Sequence, residues 1–256
     1  MKKLLILAFL LPLMAIGQNT EEYSVFETAI LSPNPAQVSQ FEKGLTSHNK
    51  KYHGEGLYGT RVYWISNGPN TGSYAWVMGP FPWSAIDYRP TTENGHDIDW
   101  DNNVMPYVTA GSGGQSYWKF NSEVSRFSKD FTIKNMLVDY YDVKRGKMKD
   151  AMKLIEKINK AYAEKLPNET YGIYTNEFGS TKEGRDIAVI SFFDKSSWIG
   201  QNNEMDKKYD EVYGKGSWDQ FLKDWYDVTV GAESELWIFR PDLSGISGEV
   251  KAPTRQ

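Results

Sequence analysis

The chain has 256 residues, a formal net charge of −4 and no cysteine. A mildly acidic sequence without a basic block gives no electrostatic reason to bind nucleic acid or an anionic membrane surface. The lack of cysteine excludes disulfides, zinc–thiolate sites and thiol nucleophiles, and the length allows two domains of ordinary size.

The first seventeen residues have the features of a secretory signal. Lys2 and Lys3 precede an apolar run over residues 4–14, and Ala15 and Gly17 place small residues where a signal peptidase cleaves. This run is too short to span a bilayer, and no later stretch is long and apolar enough for a membrane span. We therefore predict a secreted or periplasmic protein that is cleaved near Gly17, so that residues 1–17 are removed.

The next part of the chain predicts a strand, a helix and two more strands. Residues 23–31 are rich in β-branched and aromatic residues, as strands are. Asn34 and Pro35 are favoured at the start of a helix, and strands are expected at about 57–66 and 73–79. One face of the predicted helix is formed by residues at helical spacing: Val38, Phe41, Leu45, His48 and Tyr52.

A segment over 81–98, heavy in proline, glycine and acidic residues, follows the third predicted strand. It has no counterpart of equal composition later in the chain and is placed to cover the sheet as a lid. A helix is expected at about 99–107, broken by Pro106, and a strand over 115–121.

The acidic stretch that begins at His96 invites a calcium-loop interpretation. Counted from Asp97, an EF-hand loop needs glycine at its sixth position and glutamate at its twelfth, but the sequence has Asn102 and Val108 there. Asp99 as the N-cap of the following helix explains the acidic cluster more simply. An irregular cation site is the alternative.

The second half repeats the first at an offset of about 110 residues. A strand over 133–143 precedes a helix whose apolar face lies 110 residues after the first one at every position: Met148, Ala151, Ile155, Ile158 and Tyr162. Two further helices and a last strand are predicted over 206–213, 218–228 and 234–240. The ends of the two halves, residues 117–125 and 236–244, are also related, and internal repetition of this kind indicates a repeated architecture.

Each half therefore has the order β-α-β-β-α-β of a ferredoxin-like unit. Such a unit covers one sheet face with helices and leaves the other bare, so two units in one chain are expected to pack sheet to sheet. The predicted class is α+β. The predicted boundaries are a first repeat over 18–130 with its insertion 81–98, a second repeat over 131–247 and a tail over 248–256.

The doubled pattern resembles the dimeric α/β-barrel superfamily in a tandem-fused form. The export signal and the ending over 236–244 are similar to secreted Bacteroidetes-type proteins. The resemblance implies a pseudo-dimeric α/β barrel. That superfamily includes cofactor-independent monooxygenases, haem-binding and haem-degrading proteins, and proteins that only bind ligands. Fold alone does not choose among these functions, and no catalytic motif of the superfamily can be transferred to residues here.

His48 is the most informative single position, because the second half has Ile158 at the equivalent place. A buried imidazole needs a partner: a ligand, a metal, a proton acceptor or, most commonly, a backbone carbonyl. His53 follows five residues later, a spacing that does not place two imidazoles on one helix face. A two-histidine metal site therefore requires the chain to turn back at Gly54. A helix-capping role for His53 is favoured, and no metal is assigned.

A pocket between the first-half sheet and its first helix is the predicted ligand site. Mixed aromatic and polar linings are typical of small-molecule sites, although aromatic residues on a sheet more often form the core. The candidate ligand-binding residues are His48, Tyr52, His53, Arg61, Trp64 and Trp76.

Three functions stay open. The preferred one is an exported barrel protein without chemistry or cofactor, which binds a small aromatic or apolar molecule in the first repeat. The second is a cofactor-independent monooxygenase-like or isomerase-like enzyme with His48 as general base. The third is haem binding through His48 or His53. A monomer or a weak homo-oligomer is expected.

Overall fold

The computed structural model of the protein describes residues 22–91, 94–112, 114–179 and 184–252. The predicted signal segment, residues 1–17, lies outside the described residues, as does the end of the predicted tail beyond residue 252. Within the described ranges, no helix combines the length and the apolar composition needed to cross a bilayer.

The first half has the predicted order of strand, helix, two strands, helix and strand. Its elements are β1 (Ser24–Leu31), α1 (Val38–Tyr52), β2 (Thr60–Asn67), β3 (Tyr74–Pro82), α2 (His96–Asn103) and β4 (Gln115–Phe120). A short 3-10 turn, Pro35–Gln37, leads into α1. The side chain of Asn34 accepts a hydrogen bond from the backbone N–H of Ala36, so the predicted cap is confirmed.

The second half repeats this order with one additional helix and two short additional strands. Its elements are β5 (Phe131–Thr132), β6 (Asn135–Val143), α3 (Met148–Lys165), β7 (Tyr171–Asn176), β8 (Ile187–Phe193), α4 (Met205–Tyr213), α5 (Ser217–Val228), β9 (Thr229–Phe239) and β10 (Glu249–Val250). The short strands β5 and β10 pair only with each other. α3 buries Ala151, Leu154 and Ile155 on one face, as the helical spacing predicts.

Eight strands close into one antiparallel barrel in the order β1-β3-β2-β9-β6-β8-β7-β4, and β4 pairs back to β1. Two seams join the halves, β2 with β9 and β4 with β7. The α+β class is confirmed, but the two sheets are not separate layers packed face to face. They join edge to edge, because closing both seams removes every free sheet edge, and the bare faces then meet across the barrel interior.

Strand alternation divides the apolar residues into three clusters. One fills the barrel interior with residues of both halves, such as Tyr63 and Trp237. A second lies between the first-half sheet and its helices and includes Phe41 and Val62. The third is its counterpart in the second half and includes Ile155. Each half of the sheet therefore has one face towards the interior and one towards helices.

The two related terminal stretches have the same role in the two halves. After β4, the Ser125 hydroxyl donates to the carbonyl four residues earlier and accepts the backbone N–H of Ile173 in β7. After β9, the Ser244 hydroxyl donates to the carbonyl four residues earlier and accepts the backbone N–H of Val62 in β2. Each stretch thus crosses from its own half to the sheet of the other.

The helix α2 begins earlier than predicted. It starts at His96, with Gly95 in the left-handed conformation (φ 79°) at its N-cap, and Pro106 lies in a separate 3-10 turn, Met105–Tyr107. The predicted N-cap role of Asp99 is wrong, because Asp99 lies inside the first turn of α2. Its carboxylate contacts the side chain of His48 instead.

The predicted insertion, 81–98, lies on the outer face of the first-half sheet. The Arg89 guanidinium pairs with the Glu27 carboxylate at 2.8 Å, and the Tyr58 hydroxyl donates to the carbonyl of Ala85. Residues 92–93 of the insertion lie outside the described part of the chain. Because the insertion includes the first residues of α2, it determines where His96 lies.

Candidate metal centre

The C-terminal end of α1 carries two of the three histidines in the chain. His48 is buried on the same face of α1 as Phe41 and Leu45. His53 is the C-cap residue, and its backbone N–H donates to the carbonyl of Asn49. Because the chain leaves the helix there, the His53 side chain turns back, and the two imidazole centroids lie 5.2 Å apart despite the five-residue spacing.

Helix α2 brings the third histidine, His96, to the same place. A Cβ atom on Gly44 of α1 would lie 1.8 Å from the backbone oxygen of Asn103, so glycine is required for the end of α2 to contact α1 this closely. At the other end of α2, the Tyr52 hydroxyl donates to the carbonyl of Gly95 at 3.0 Å. These two contacts hold His96 against α1.

Each imidazole is oriented through its Nδ1 atom. The partner is an oxygen in every case: Oδ2 of Asp99 at 2.8 Å for His48, the carbonyl of Tyr58 at 2.8 Å for His53, and Oδ1 of Asp97 at 2.9 Å for His96. Carbonyl and ionised carboxylate oxygens only accept hydrogen bonds, so each Nδ1 is the donor. In a neutral imidazole this tautomer leaves the lone pair on Nε2.

The ligand nitrogens converge on one point. One such nitrogen from each histidine lies within 4.8 Å of the other two, and the Nε2 atoms of His53 and His96 are 3.1 Å apart. The Nε2 atom of His48 is buried and has no hydrogen-bond partner in the described part of the chain. Zinc bound tetrahedrally at about 2.0–2.1 Å separates its nitrogen ligands by roughly 3.3 Å. His53 and His96 already have nearly that spacing.

Burial keeps His48 and His53 in the metal-binding form. The residues His48 and His53 are 0% and 2% exposed, and the side chain of His96 is 16% exposed. Burial lowers the pKa of His53 to about 3, against the opposing hydrogen bond to Tyr58. Burial also lowers the pKa of His48, against the opposing hydrogen bond to Asp99. Neutral imidazole is the form that binds metals.

Aromatic rings surround the three imidazoles. The ring centroids of Tyr52 and Trp100 lie 5.0 and 4.9 Å from that of His48, and the centroid of Trp76 lies 5.2 Å from that of His53. These contacts fix the imidazole planes and exclude water from their faces. The partly exposed third imidazole marks the side from which solvent reaches the cluster.

Asn49 connects this site to the C-terminal stretch of the second half. It is fully buried, its Nδ2 donates to the carbonyl of Leu243 at 2.7 Å, and its Oδ1 accepts the indole N–H of Trp76 at 3.0 Å. A Cβ atom on Gly245 would lie 2.0 Å from the carbonyl oxygen of His53. The stretch after β9 therefore packs directly against the backbone that carries the site.

The structure brings four of the six predicted ligand-binding residues together and places two elsewhere. The four are His48, Tyr52, His53 and Trp76. Arg61 lies on the opposite face of β2, because alternate residues of a strand face opposite sides, and its guanidinium donates to the carbonyls of Ser247 and Glu249. Trp64 is 36% exposed, and among the described residues its ring contacts none of the imidazoles.

Sequence reasoning missed His96 and the role of the neighbouring carboxylates. The alternating acids favoured a calcium or helix-capping interpretation, whereas Asp97 and Asp99 each hold an imidazole. The sequence offered one signal: the chain has only three histidines, and all three lie in the first half, where the site was predicted.

No family model matches this chain, and no curated protein matches it. Solved structures do match. A candidate monooxygenase from Lactobacillus acidophilus NCFM has a TM-score of 0.53 at 12% identity, with 90% of this chain and 100% of that chain covered. An anthrone oxidase-like protein has a TM-score of 0.54 at 10% identity, covering 86% and 92%. A chlorite dismutase from Candidatus Nitrospira defluvii, in complex with imidazole, has a TM-score of 0.51 at 11% identity, covering 87% and 93%.

Likeness at this level of identity shows the fold. The chain has the antiparallel eight-stranded barrel of these dimeric α/β-barrel structures, so the predicted resemblance is confirmed at the level of fold. The resemblance to secreted Bacteroidetes-type proteins stays a prediction.

Proposed function

We propose that this protein is a metalloprotein in which His48, His53 and His96 bind one divalent transition-metal ion that acts on a small molecule. The observation that carries this proposal is the arrangement of the three Nε2 atoms. Two of them face each other at 3.1 Å with their Nδ1 atoms already donating, and the third is buried without a partner among the described residues. A shared proton satisfies the facing pair but leaves His48 unpartnered, whereas a metal ion satisfies all three.

The donor set favours zinc or copper. Imidazole nitrogen suits zinc, copper, iron and nickel, and the affinity series of divalent ions places copper and zinc near its top. Three histidine ligands leave one coordination position for water or substrate, and a bound ion supplies Lewis acidity or an activated water there. In this arrangement His48 is a ligand and not a free general base, because Asp99 holds its Nδ1 and its ring is buried.

The names of the similar structures support a chemical role for the site. They are a candidate monooxygenase, an anthrone oxidase-like protein and a chlorite dismutase, which all refer to reactions of small molecules. This support is an analogy of fold. It favours an enzyme over a barrel protein that only binds a ligand.

Haem is a second candidate, and the unpartnered Nε2 of His48 is the observation in its favour. The ring centroids of His96 and Trp100 lie 4.7 and 4.9 Å from that of His48. A porphyrin does not fit between rings at these distances unless they separate. A single ion needs no such opening and is therefore preferred.

Metal titration tests the proposal. Protein stripped with EDTA is titrated with zinc and with copper by calorimetry, and one equivalent of ion is expected to bind. His48→Ala, His53→Ala and His96→Ala are each expected to weaken binding by more than about 100-fold, since each removes a direct ligand. Asp101→Asn is the matched control, because Asp101 is exposed on α2 and contacts no imidazole within the described ranges.

Unchanged stoichiometric binding in all three alanine variants would disprove the proposal. A Soret band after addition of haem, lost in His48→Ala, would favour the second candidate. Asp99→Ala is expected to weaken metal binding by about 10- to 100-fold, the loss typical for a group that orients a ligand.

We also propose that the protein is exported. The support is the sequence of residues 1–17. N-terminal sequencing of protein secreted by its own host is expected to start at Gln18. A retained Met1 would contradict export.

We propose further that segments 18–130 and 131–247 are two tandem ferredoxin-like repeats. Their strand orders, β4-β1-β3-β2 and β9-β6-β8-β7, are equivalent, and Ser125 and Ser244 make equivalent contacts. Because the described barrel strands have no free edge, one chain is sufficient and a monomer is expected in sedimentation. Segment 18–130 alone is expected to remain unfolded, since it loses both seams. A stably folded isolated half would contradict this organisation.

A further inference from the structure

The barrel interior contains a cavity that the metal centre does not use. Its volume is about 430 Å³, within the range of small-molecule sites. It lies inside the eight strands, on the face of β2 opposite the helices, so it is separate from the three imidazoles. A ligand bound in this cavity is separate from the proposed metal function, because no residue of the imidazole cluster lines the cavity.

Aromatic rings form most of the cavity wall. Phe26 and Phe120 pack against Tyr174 with centroids 5.5 and 5.4 Å apart, and Phe127 packs against Phe192 at 5.8 Å. Such edge and face contacts create flat apolar walls. At the inner end, Trp118 and Tyr140 close the cavity with their ring centroids 5.6 Å apart, and both residues also line a more polar cavity on their other side.

Two phenols bring hydrogen-bond donors into this apolar wall. Tyr63 and Tyr174 line the cavity, and neither hydroxyl has a hydrogen-bond partner among the described residues. Burial raises the pKa of Tyr63 to about 12 and also raises the pKa of Tyr174, so both remain protonated donors. Arg61 lines the same cavity as both phenols.

Arg61 is a cation in the cavity lining without a carboxylate partner among the described residues. It donates to the backbone carbonyls of Ser247 and Glu249 at 2.8 and 3.0 Å, and no carboxylate in the described ranges lies within 4.0 Å of it. The charge of Lys251, the other cation in the lining, is offset by Asp130 at 3.1 Å. Glu249, the acidic residue of the lining, turns its backbone carbonyl towards Arg61, and its carboxylate lies more than 4.0 Å from the guanidinium.

We propose that the barrel interior binds a flat, apolar monocarboxylate, such as an aromatic acid. The carboxylate accepts hydrogen bonds from Arg61, Tyr63 and Tyr174, and the aromatic wall covers the apolar body. Hydrogen bonds between an ionised donor and a carboxylate are the stronger class. An apolar cavity whose lining includes a cation and two buried phenols fits a ligand that is polar at one end.

Binding of 2-naphthoate to the full mature chain in EDTA tests this site. Arg61→Gln is expected to weaken binding about tenfold or more, because it removes a charged donor. Arg126→Gln is the matched control: its guanidinium also donates to a backbone carbonyl, that of Pro167, but outside the cavity. This control is expected to bind 2-naphthoate as the unchanged protein does.

Methyl 2-naphthoate has nearly the shape of 2-naphthoate but no negative charge, so it shows how much of the affinity depends on the charge of the ligand. It is expected to bind more weakly than the acid and to be insensitive to Arg61→Gln. Ile190→Trp places a larger side chain in the cavity lining and is expected to abolish binding of both compounds, with circular dichroism confirming its fold. If it does not fold, Val77→Phe at the lining serves the same purpose.

Four results would overturn the assignment. They are equal affinity of Arg61→Gln and the unchanged protein for 2-naphthoate, ester binding as tight as acid binding, binding that survives the cavity-filling substitution, and loss of binding in His48→Ala. Loss of binding in His48→Ala would indicate that 2-naphthoate binds at the metal centre and not in the barrel interior. Failure of metal binding alone leaves this site unaffected, because the measurement is made in EDTA.

Discussion

The same helix–sheet interface is built in two different ways in the two halves of this protein. On α1, His48 lies among imidazoles and carboxylates, whereas the equivalent residue of α3, Ile158, packs against an apolar cluster. Both interfaces cover one face of the same kind of sheet. The second shows that the fold does not need histidine at this position, which supports the proposed role of His48 in metal binding.

A second difference concerns the space next to the helix. Gly44 of α1 corresponds to Leu154 of α3, which is buried in the second-half cluster. The absent side chain of Gly44 lets α2 lie against α1 and deliver His96. The first half has therefore exchanged apolar packing for a close helix contact that positions a ligand.

Replacing the buried asparagine of the first half, Asn49, is expected to cause the largest loss of stability. Asn49→Ala leaves the indole N–H of Trp76 and the carbonyl of Leu243 without partners in the core, which should cost about 3 kcal/mol. The matched change in the second half is Asn159→Ala. Asn159 is only partly buried, although it also accepts from a tyrosine hydroxyl, and about 1 kcal/mol is expected. Urea unfolding in EDTA measures both, and equal losses would contradict the comparison.

Adding a side chain at Gly44 is expected to cause the next largest loss of stability. Gly44→Ala forces the new Cβ against the backbone of Asn103, and the overpacking should cost about 2 kcal/mol even though alanine favours helix. Zinc binding should weaken as well, because α2 carries His96. At Gly231 a Cβ meets open space, so Gly231→Ala should change stability by less than about 0.5 kcal/mol. Unchanged zinc affinity in Gly44→Ala would show that the contact between α1 and α2 at Gly44 does not position His96 for metal binding.

Much of the fold follows from local patterns. The helical face from Val38 to Tyr52 and its copy 110 residues later predicted α1 and α3, and the element order predicted two ferredoxin-like halves. Closure of the barrel could not be predicted in the same way. The seams pair β2 with β9 and β4 with β7, strands far apart in sequence, and local spacing contains no information about such pairs.

The candidate site was only partly predictable for a similar reason. His48 is visible as one imidazole on an apolar stripe. His53 depends on how the chain leaves α1, and His96 depends on a backbone contact at Gly44, so neither follows from residue spacing. Arg61 was placed with the wrong group, because its strand directs it into the barrel.

Replacing His48 by the equivalent residue of the second half is expected to change stability less than Gly44→Ala does, and in the opposite direction. His48→Ile removes a buried nitrogen without a partner in the described chain. The bond to Asp99 is lost as well, but that carboxylate is 21% exposed and keeps the amide of Asn103. The metal-free protein should therefore gain about 1 kcal/mol. Stabilisation by added zinc should disappear at the same time. Ile158→His, the reverse exchange, should destabilise the protein without creating a zinc response. A less stable His48→Ile protein that still responds to zinc would show that the imidazole is structural.

The pH dependence of the metal-free protein is expected to be the smallest of these effects. Folded His53 has a pKa of about 3, so between pH 3 and its ordinary value near 6.5 it takes up a proton only on unfolding. The unfolded state then binds more protons, and stability falls as pH is lowered through this window. One such histidine removes about 1 kcal/mol between about pH 6.5 and pH 5.5. His48, whose pKa burial also lowers, acts in the same direction.

Urea unfolding in EDTA across this interval measures the slope. His53→Gln should reduce it, while Ile158→Ala in the second half should leave it unchanged, because that interface has no imidazole to protonate. Carboxylates with lowered pKa values, such as those of Asp99 and Asp242, add their own loss only as pH approaches about 4. Burial raises the pKa values of Asp139 and Asp142, so these carboxyls act in the opposite direction. The difference in slope between His53→Gln and the unchanged protein above pH 5 therefore isolates the histidine. If His53→Gln retains the full slope there, the cluster does not exclude protons, and the argument that a metal ion must satisfy its nitrogens loses its basis.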